Sequence, residues 1–168
     1  MFAPLRHWAD RVLDKPEKFT VGIIDALWAQ RYAIAVDDLN PVYFDKDHAR
    51  RLGYKDIVAP PNYIATLRGD QRAGPADGEL LADGMAPSAR PPLPELLGMG
   101  GGQALHFHAP VYCGEFIIGE RAVVGVTQKE GRTGPLVIIE EKLNYATSDG
   151  EAKLTLHNTL LCKWLEKP

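Results

Sequence analysis

The sequence is poor in cysteine and has neither a long apolar run nor an excess of basic residues. Its two cysteines, Cys113 and Cys162, are far apart and lack a CxxC partner, which favours reduced core thiols over a disulfide framework or a zinc site. No stretch approaches the roughly 20 apolar residues that span a bilayer. Charges from Arg6 onward break the N-terminus, unlike a secretion signal. We therefore expect a cytoplasmic protein without a membrane segment.

The charges that are present are scattered along the chain. The formal net charge is -3 and the sequence pI is about 5.9, so the basic stripe that nucleic acid requires is missing. The glycine-rich run 98–102 does not fit GxGxxG, because Gln103 breaks the spacing and a strand is expected to follow it. The scattered charges and the glycine spacing therefore argue against binding of nucleic acid and of a dinucleotide. A composition of 45% hydrophobic and 24% charged residues predicts one globular domain.

The first 67 residues predict one strand and three helices, separated by turn residues. Aspartates suit the N-caps of the first two helices, and proline costs little at the start of the third, which we expect to be buried. The residues before the strand, His7 among them, are expected to be frayed. The predicted elements are a strand over 19–24, a helix from Asp25 to about Val36, a breaker over 37–41, a helix between Asp45 and Gly53, and a helix over 62–67.

The rest of the chain predicts a long insertion followed by strands. Residues 68–102 are rich in Gly, Pro and short polar residues and are too long for an ordinary connector. We expect a meander of about four antiparallel strands over 103–109, 121–130, 136–145 and 153–164, with hairpin turns at 131–134 and 148–150. The order predicts an α+β fold in which an antiparallel sheet wraps around one helix.

The most specific pattern ends the first predicted helix. Over residues 31–43 the sequence is RYAIAVDDLNPVY, so Asp38 is followed by Asn40, Pro41 and Tyr43. This pattern resembles the hydratase signature of MaoC-like proteins, in which Asp, Asn-Pro and His follow an aromatic residue at fixed spacing. Residues 44–67 resemble the N-terminal-half variant of that family, the fungal fatty-acid-synthase-like dehydratase domain. The resemblance is strong over 31–67 and looser over about 20–164.

The resemblance implies a hot-dog fold, with an antiparallel sheet around a central helix, in a single domain over residues 1–168. It implies syn addition of water to a trans-2-enoyl thioester, or the reverse, in fatty acid or lipid metabolism. The acyl carrier is coenzyme A or acyl carrier protein, and no other cofactor and no metal is expected. The positions that it implicates are Asp38, Asn40 and Tyr43 at the catalytic site and Ala59, Pro60, Pro61 and Asn62 at the substrate-binding site.

The chain departs from the catalytic pattern twice. The reaction uses an Asp and a His five residues later to hold and deprotonate one water, but Tyr43 stands at the His position, and a phenol has an ordinary pKa near 10 where a value near 7 is wanted. Catalytic members also place a His-Gly pair before the central helix, where a backbone N–H holds the thioester carbonyl. The equivalent stretch here contains Pro60 and Pro61, which have no N–H.

These departures favour a supporting half that works as a heterodimer with a catalytic MaoC-like partner. Three alternatives stay open: a self-sufficient homodimer that uses Asp38, a non-catalytic acyl-CoA-binding module, and, less favoured, a thioesterase. For Asp38 and Asn40 there is also a structural alternative, because both residue types are common in a turn after a helix.

Two further groups of residues have simpler interpretations. His106 and His108 share a face of the predicted strand, where an outward polar face is favoured over a metal site because no third ligand is evident. Arginine offers donors that match phosphate oxygens, although solvated loop charge is favoured for the arginines of the insertion. Those residues are Arg68, Arg72 and Arg90.

Overall fold

The computed structural model describes residues 3–67, 91, 93, 96–132 and 134–164. The elements are, in order, α1 Ala3–Val12, β1 Glu17–Ile23, α2 Ala26–Ala35, a 3-10 helix Pro41–Tyr43, α3 Lys46–Arg51, α4 Tyr63–Thr66, β2 Leu96–Phe107, β3 Phe116–Gly131, β4 Gly134–Thr147 and β5 Ala152–Trp164. None of these helices has the length and apolar character that crossing a membrane requires. Arg68, Arg72 and Arg90 lie outside the described residues.

The predicted capping residues and hairpin turns are confirmed. The Asp25 side chain accepts a hydrogen bond from the backbone N–H of Trp28, and Asp45 does the same for His48. Gly131 and Gly134 pair across the turn between β3 and β4, and the second turn follows Thr147. These features depend on residues close together in the sequence, which is why local patterns predict them.

The five strands form one antiparallel sheet in the order β1-β3-β4-β5-β2. The expected four-strand meander is therefore wrong in part, since β3, β4 and β5 follow one another but β2 pairs with β5 and ends the sheet. Which strands pair, and in which register, depends on the face that each strand presents to the core. That face is fixed by contacts between residues far apart in the sequence. The strand spacing alone does not contain that information.

Strand β2 also begins earlier than expected. The sequence predicts an insertion that ends at Gly102, but the strand starts at Leu96 and includes the whole glycine-rich run. At Gly101 a Cβ atom would lie 3.0 Å from the backbone oxygen of Thr159 on β5, so glycine permits the close approach of the two strands. Glycine therefore has the expected use here, within the strand rather than ahead of it.

The N-terminal segment is a helix and not a frayed lead-in. Leu5, Trp8 and Ala9 of α1 are buried, in a core cluster with residues of β2 to β5. His7, on the same helix, is exposed. The spacing of these apolar residues is helical, but the helix depends on packing against strands more than 80 residues away, which the local sequence does not reveal.

A second core cluster lies where the helices pack on the other end of the sheet. Tyr63, Ile64 and Ala65 of α4 are buried there against residues of β1, β3, β4 and β5, among them Leu143 and Leu156. The expected buried third helix is confirmed, as a single turn within the predicted range. Helix α2 buries Ala29 and Ala33, while its larger apolar side chains are exposed: Leu27, Trp28 and Ile34.

A buried lysine fastens the loop between β2 and β3 to β5. The fully buried Lys153 ammonium donates to the Pro110 carbonyl oxygen at 2.9 Å and pairs at 2.9 Å with Glu115 and with Glu151. Burial alone lowers the pKa of Lys153, but its hydrogen bonds to the two carboxylates outweigh that effect, so the net pKa is raised. The loop in turn pairs with the segment before α4 through Ala59 N–H and Val111 oxygen at 2.8 Å.

We expect Lys153→Met to lower the free energy of unfolding by about 3 kcal/mol, because it leaves Glu115 without its buried partner. Urea unfolding at neutral pH measures this. The matched control is Lys142→Met, since Lys142 is exposed on β4 and its loss should change stability by less than about 0.5 kcal/mol. The Lys153 contribution should disappear only as pH rises through its raised folded-state pKa, above 10.5. Equal unfolding midpoints for the two variants would contradict this role.

Candidate active site

The segment after α2 forms a compact turn that presents Asp38. Asp37 has a φ of 58°, a left-handed conformation that reverses the chain, and the Asp38 N–H donates to the Ala33 oxygen at 2.9 Å. The Asn40 side chain accepts a hydrogen bond from the Val42 N–H at 3.2 Å and caps the 3-10 helix. Asn40 therefore has the local structural role that a turn requires, and its amide is directed to the backbone.

Asp38 and Tyr43, five residues apart, are joined directly. The Tyr43 hydroxyl donates to Asp38 Oδ2 at 3.1 Å. Tyr43 is 6% exposed, whereas Asp38 is exposed to solvent. Gln30 of α2 donates to the Tyr43 backbone oxygen at 3.2 Å and holds this residue against the helix. The phenol thus lies beneath the carboxylate, at the position where a base was expected from the family pattern.

The electrostatics make Tyr43 a neutral hydrogen-bond donor and not a base. Burial, followed by the hydrogen bond to Asp38 and the charge of that carboxylate, raises the pKa of Tyr43 to about 12. General-base work near neutral pH requires a shift in the opposite direction. Tyr43 therefore stays neutral at physiological pH and fixes one oxygen of Asp38 by donating to it.

The segment before α4 is also poorly equipped to hold a thioester carbonyl. The Ala59 N–H is committed to the Val111 oxygen at 2.8 Å, and Pro60 and Pro61 have no N–H. The Tyr63 N–H donates back to the Pro60 oxygen at 2.9 Å. The backbone from Ala59 to Pro61 therefore offers no free N–H, and the first backbone donor after the prolines is that of Asn62 at the start of α4.

A cavity brings several of the predicted residues together. Its lining includes Asp38 beside Pro60, Pro61 and Asn62. Ala59 lines a neighbouring cavity that also contains Pro61, while Asn40 and Tyr43 belong to neither lining. The structure thus brings together four of the seven predicted positions, places Tyr43 behind Asp38 and turns Asn40 away.

The sequence did not identify the apolar half of this cavity. Its remaining lining residues come from α2, from the residue that follows this helix and from the far end of β2: Tyr32, Val36, Leu105 and Phe107. Phe107 is 48% exposed and Val36 is 51% exposed, so the cavity has an apolar mouth. The alternation of Leu105 and Phe107 with two histidines was visible in the sequence, but not their proximity to Asp38, which depends on the strand order. Such a lining suits an acyl group.

The paired histidines are not part of the cavity beside Asp38, although His108 lines the neighbouring cavity together with Ala59 and Pro61. His106 and His108 are exposed, and their ring centroids are 4.6 Å apart. His108 Nε2 lies 2.9 Å from Thr155 Oγ1 on β5. In the described part of the chain, no group of three or more His, Cys, Asp or Glu side chains is arranged to hold a metal ion. The two side chains fit the outward polar face predicted for them.

The model of the FAS1-like dehydratase domain region matches residues 23–155, which is more than half of the chain. The chain belongs to this family. It is 35% identical over 80 residues to a UPF0336 protein of Thermobifida fusca, an alignment that spans 50% of that protein's length and 46% of this chain. It is 27% identical over 142 residues to the mitochondrial 3-hydroxyacyl-[acyl-carrier-protein] dehydratase FERN of Solanum lycopersicum, covering 77% of this chain and 68% of that protein.

Solved structures confirm the hot-dog fold. One similar structure is the ChsH1-ChsH2 complex of Mycobacterium tuberculosis, with a TM-score of 0.70 and 18% identity over 94% of this chain and 88% of that chain. Another is the HadBC (3R)-hydroxyacyl-ACP dehydratase complex of the same organism, with a TM-score of 0.61 and 18% identity over 88% of this chain and 96% of that chain. The expected α+β hot-dog fold of the FAS1-like, MaoC-like dehydratase class is therefore correct.

The bond between Tyr43 and Asp38 predicts a specific titration. We expect Asp38→Asn to lower the Tyr43 pKa from about 12, although the pKa should stay above 10 because burial remains. NMR of tyrosine labelled with 13C at Cζ measures it. The wild-type protein should lose stability as pH rises from 10 through about 12, because the unfolded phenol ionises first.

The matched control for that titration is Asp37→Asn. Asn tolerates the left-handed φ of 58° at this position, and the change removes a neighbouring charge without touching the Asp38 bond. The Tyr43 pKa should be close to the wild-type value in this variant. An unchanged pKa in Asp38→Asn would show that the bond does not control the phenol.

Proposed function

We propose that this chain is the supporting hot-dog subunit of a heteromeric (R)-specific enoyl-thioester hydratase, or 3-hydroxyacyl-thioester dehydratase, of lipid metabolism. Its partner is a MaoC-like chain that carries the complete Asp and His pair. The observation that carries the proposal is that a buried, neutral Tyr43 donates to Asp38 at 3.1 Å where an imidazole is needed. The chain contributes the apolar mouth beside Asp38 to the acyl-binding region.

The chemistry explains why the missing groups matter. In hydration, a base removes a proton from water as the water oxygen bonds to C3 of the enoyl group, and a proton is then delivered to C2. Negative charge develops on the thioester oxygen between these steps and needs a backbone N–H donor. Asp38 with a phenol of raised pKa serves the first requirement poorly, and Pro60 and Pro61 supply no N–H for the second.

Edge pairing supports the need for a partner. Strand β2 ends the sheet, and Met99 to Gln103 are exposed along it. Its outer N–H and C=O groups are a template for another strand. Two of the similar solved structures are described as complexes, of ChsH1 with ChsH2 and of HadBC. We propose that a partner strand pairs along β2, close to the cavity mouth at Leu105 and Phe107.

The substrate proposal follows from the same region. The cavity lining is mostly apolar, with Val36, Leu105 and Phe107 around one exposed carboxylate. An acyl chain fits these apolar walls, and the reacting group is carried as a thioester of coenzyme A or acyl carrier protein. The tomato relative is named as a 3-hydroxyacyl-[acyl-carrier-protein] dehydratase, which supports this substrate class. No further cofactor is needed for the reaction.

The direct test compares the isolated chain with the chain co-purified with a MaoC-like protein that retains Asp, Asn-Pro and His. Hydration of crotonyl-CoA and of longer enoyl-CoA thioesters is followed by loss of the enoyl absorbance. The isolated chain should be at background and the complex active. Asp38→Asn in this chain should change turnover of the complex by less than about threefold, while Asp→Asn in the partner motif should reduce it at least about 100-fold.

Three other results would point elsewhere. Turnover by the isolated chain that is abolished by Asp38→Asn would establish the self-sufficient homodimer. Acyl-CoA binding by calorimetry without turnover in any mixture would favour a binding module. Release of free coenzyme A would indicate a thioesterase.

A reconstruction of the missing groups tests the physical reason. We expect Tyr43→His alone to give the isolated chain little activity, because the carbonyl still lacks a donor, which is worth about 100-fold to 1,000-fold. Tyr43→His combined with Pro61→Gly should give measurable hydration. The control is Tyr43→Phe with Pro61→Gly, which supplies the N–H without an imidazole and should stay inactive. A folded double variant that remains inactive would show that these two positions do not account for the deficit.

A further inference from the structure

Four polar side chains cross the core-facing side of the sheet in a connected row. Glu141 on β4 is 3% exposed and accepts a hydrogen bond from Asn158 Nδ2 on β5 at 2.8 Å. Gln103 Nε2 on β2 donates to Asn158 Oδ1 at 3.3 Å. Arg121 on β3 completes the row, with its Nε 3.4 Å from Glu141 Oε1. We call these four residues the polar row.

The polar row divides the apolar core in two. On β4 it is flanked by Ile139, which belongs to the cluster around α1, and by Leu143, which belongs to the cluster around α4. Apolar residues at these positions would unite the two clusters. A buried carboxylate with one guanidinium partner is often no more stable than a well-packed apolar replacement, whereas buried polar groups are best known for fixing register. The row therefore calls for a role other than stability.

The charge of Glu141 gives the polar row a direction. An ionised carboxylate only accepts hydrogen bonds, so Asn158 must turn its NH₂ group towards Glu141 and its oxygen towards Gln103. Gln103 must then donate through Nε2, which directs its own oxygen Oε1 away from the row. The exposed end of the row at β2 thus presents a hydrogen-bond acceptor in a fixed orientation.

The strand at that end has few other means of fixing register. The glycines at 98, 100, 101 and 102 carry no side chains, and glycine-rich strands specify their pairing weakly. Pairing with β5 in register places Gln103 opposite Asn158 and Leu105 opposite Leu156, on the core-facing side of the sheet. Along that face of β2, the side chains other than Gln103 are apolar or absent. Gln103 is therefore the polar side chain of this face that can fix the register of the strand.

We propose that the polar row sets the register and the identity of the partner that pairs along β2. The partner is a hot-dog sheet edge with a hydrogen-bond donor side chain that faces Gln103 Oε1 on the core-facing side of the sheet. This inference rests on the heteromeric pairing of the proposed function and specifies which residue recognises the partner. A partner shifted by one residue would turn its donor to the opposite face and leave Gln103 without a bond.

The test measures the dissociation constant of the complex with the MaoC-like partner for three variants of this chain. Gln103→Leu removes the acceptor, and Gln103→Glu keeps the shape but cannot donate to Asn158. Both should weaken binding at least about tenfold. Glu141→Gln removes the charge that orients the row and should weaken binding in the same direction although Glu141 is buried away from the edge. Thermal unfolding of each free variant checks that the sheet is intact.

The matched control is Met99→Leu, an exposed substitution on the same strand that leaves the polar row untouched, and it should bind like the wild type. Hydrogen exchange should show protection of β2 amides in the wild-type complex. Wild-type affinity in Gln103→Leu and Gln103→Glu would overturn the inference, even if the complex is active. Unchanged affinity with altered preference among acyl thioesters would show that Gln103 contacts substrate instead. Failure of the wild-type chain to form any complex would remove the proposed function itself.

Discussion

The hydrogen bond from the buried Tyr43 hydroxyl to the exposed Asp38 carboxylate is the interaction on which the functional interpretation depends. A carboxylate near a second titratable group of suitable pKa can share the work of moving a proton. Here burial and the carboxylate itself drive the phenol the other way, to a pKa of about 12. The phenol is therefore held in its neutral form and is not poised to take up or release a proton near neutral pH.

The rest of the sheet positions this pair against the cavity. Lys153 binds the loop after β2 to β5, and this loop pairs with Ala59 just before the two prolines. The same end of β2 contributes Leu105 and Phe107. The Lys153 ion cluster and the bond to Ala59 thus bring the loop after β2, the segment before α4 and the end of β2 to one apolar mouth. The same loop accepts the hydrogen bond of the Ala59 N–H, so the backbone from Ala59 to Pro61 has no free donor.

Sequence patterns predicted what is local and failed where the determinant is distant. Asp25 and Asp45 cap the predicted helices because each bonds to a backbone N–H three residues later. The position of β2 at the sheet edge could not be predicted, since it depends on which strand buries a given face. For the same reason Leu105 and Phe107 were not recognised as neighbours of Asp38. The polar row was hidden as well, since Gln103, Asn158 and Glu141 belong to three strands and meet only through the register.

Asp38 and Asn40, which match the family signature, have structural roles that do not require an imidazole at position 43. Asn40 caps the 3-10 helix through Val42, and Asp38 gives the buried Tyr43 hydroxyl its hydrogen-bond partner. Removing either would leave a buried polar group unsatisfied, at a cost of about 1–3 kcal/mol. Resemblance to the signature therefore follows from folding as much as from catalysis. Structure and catalysis are distinguished at Tyr43 and at Pro60 and Pro61. There the family pattern has an imidazole and a backbone N–H, and this chain has neither group.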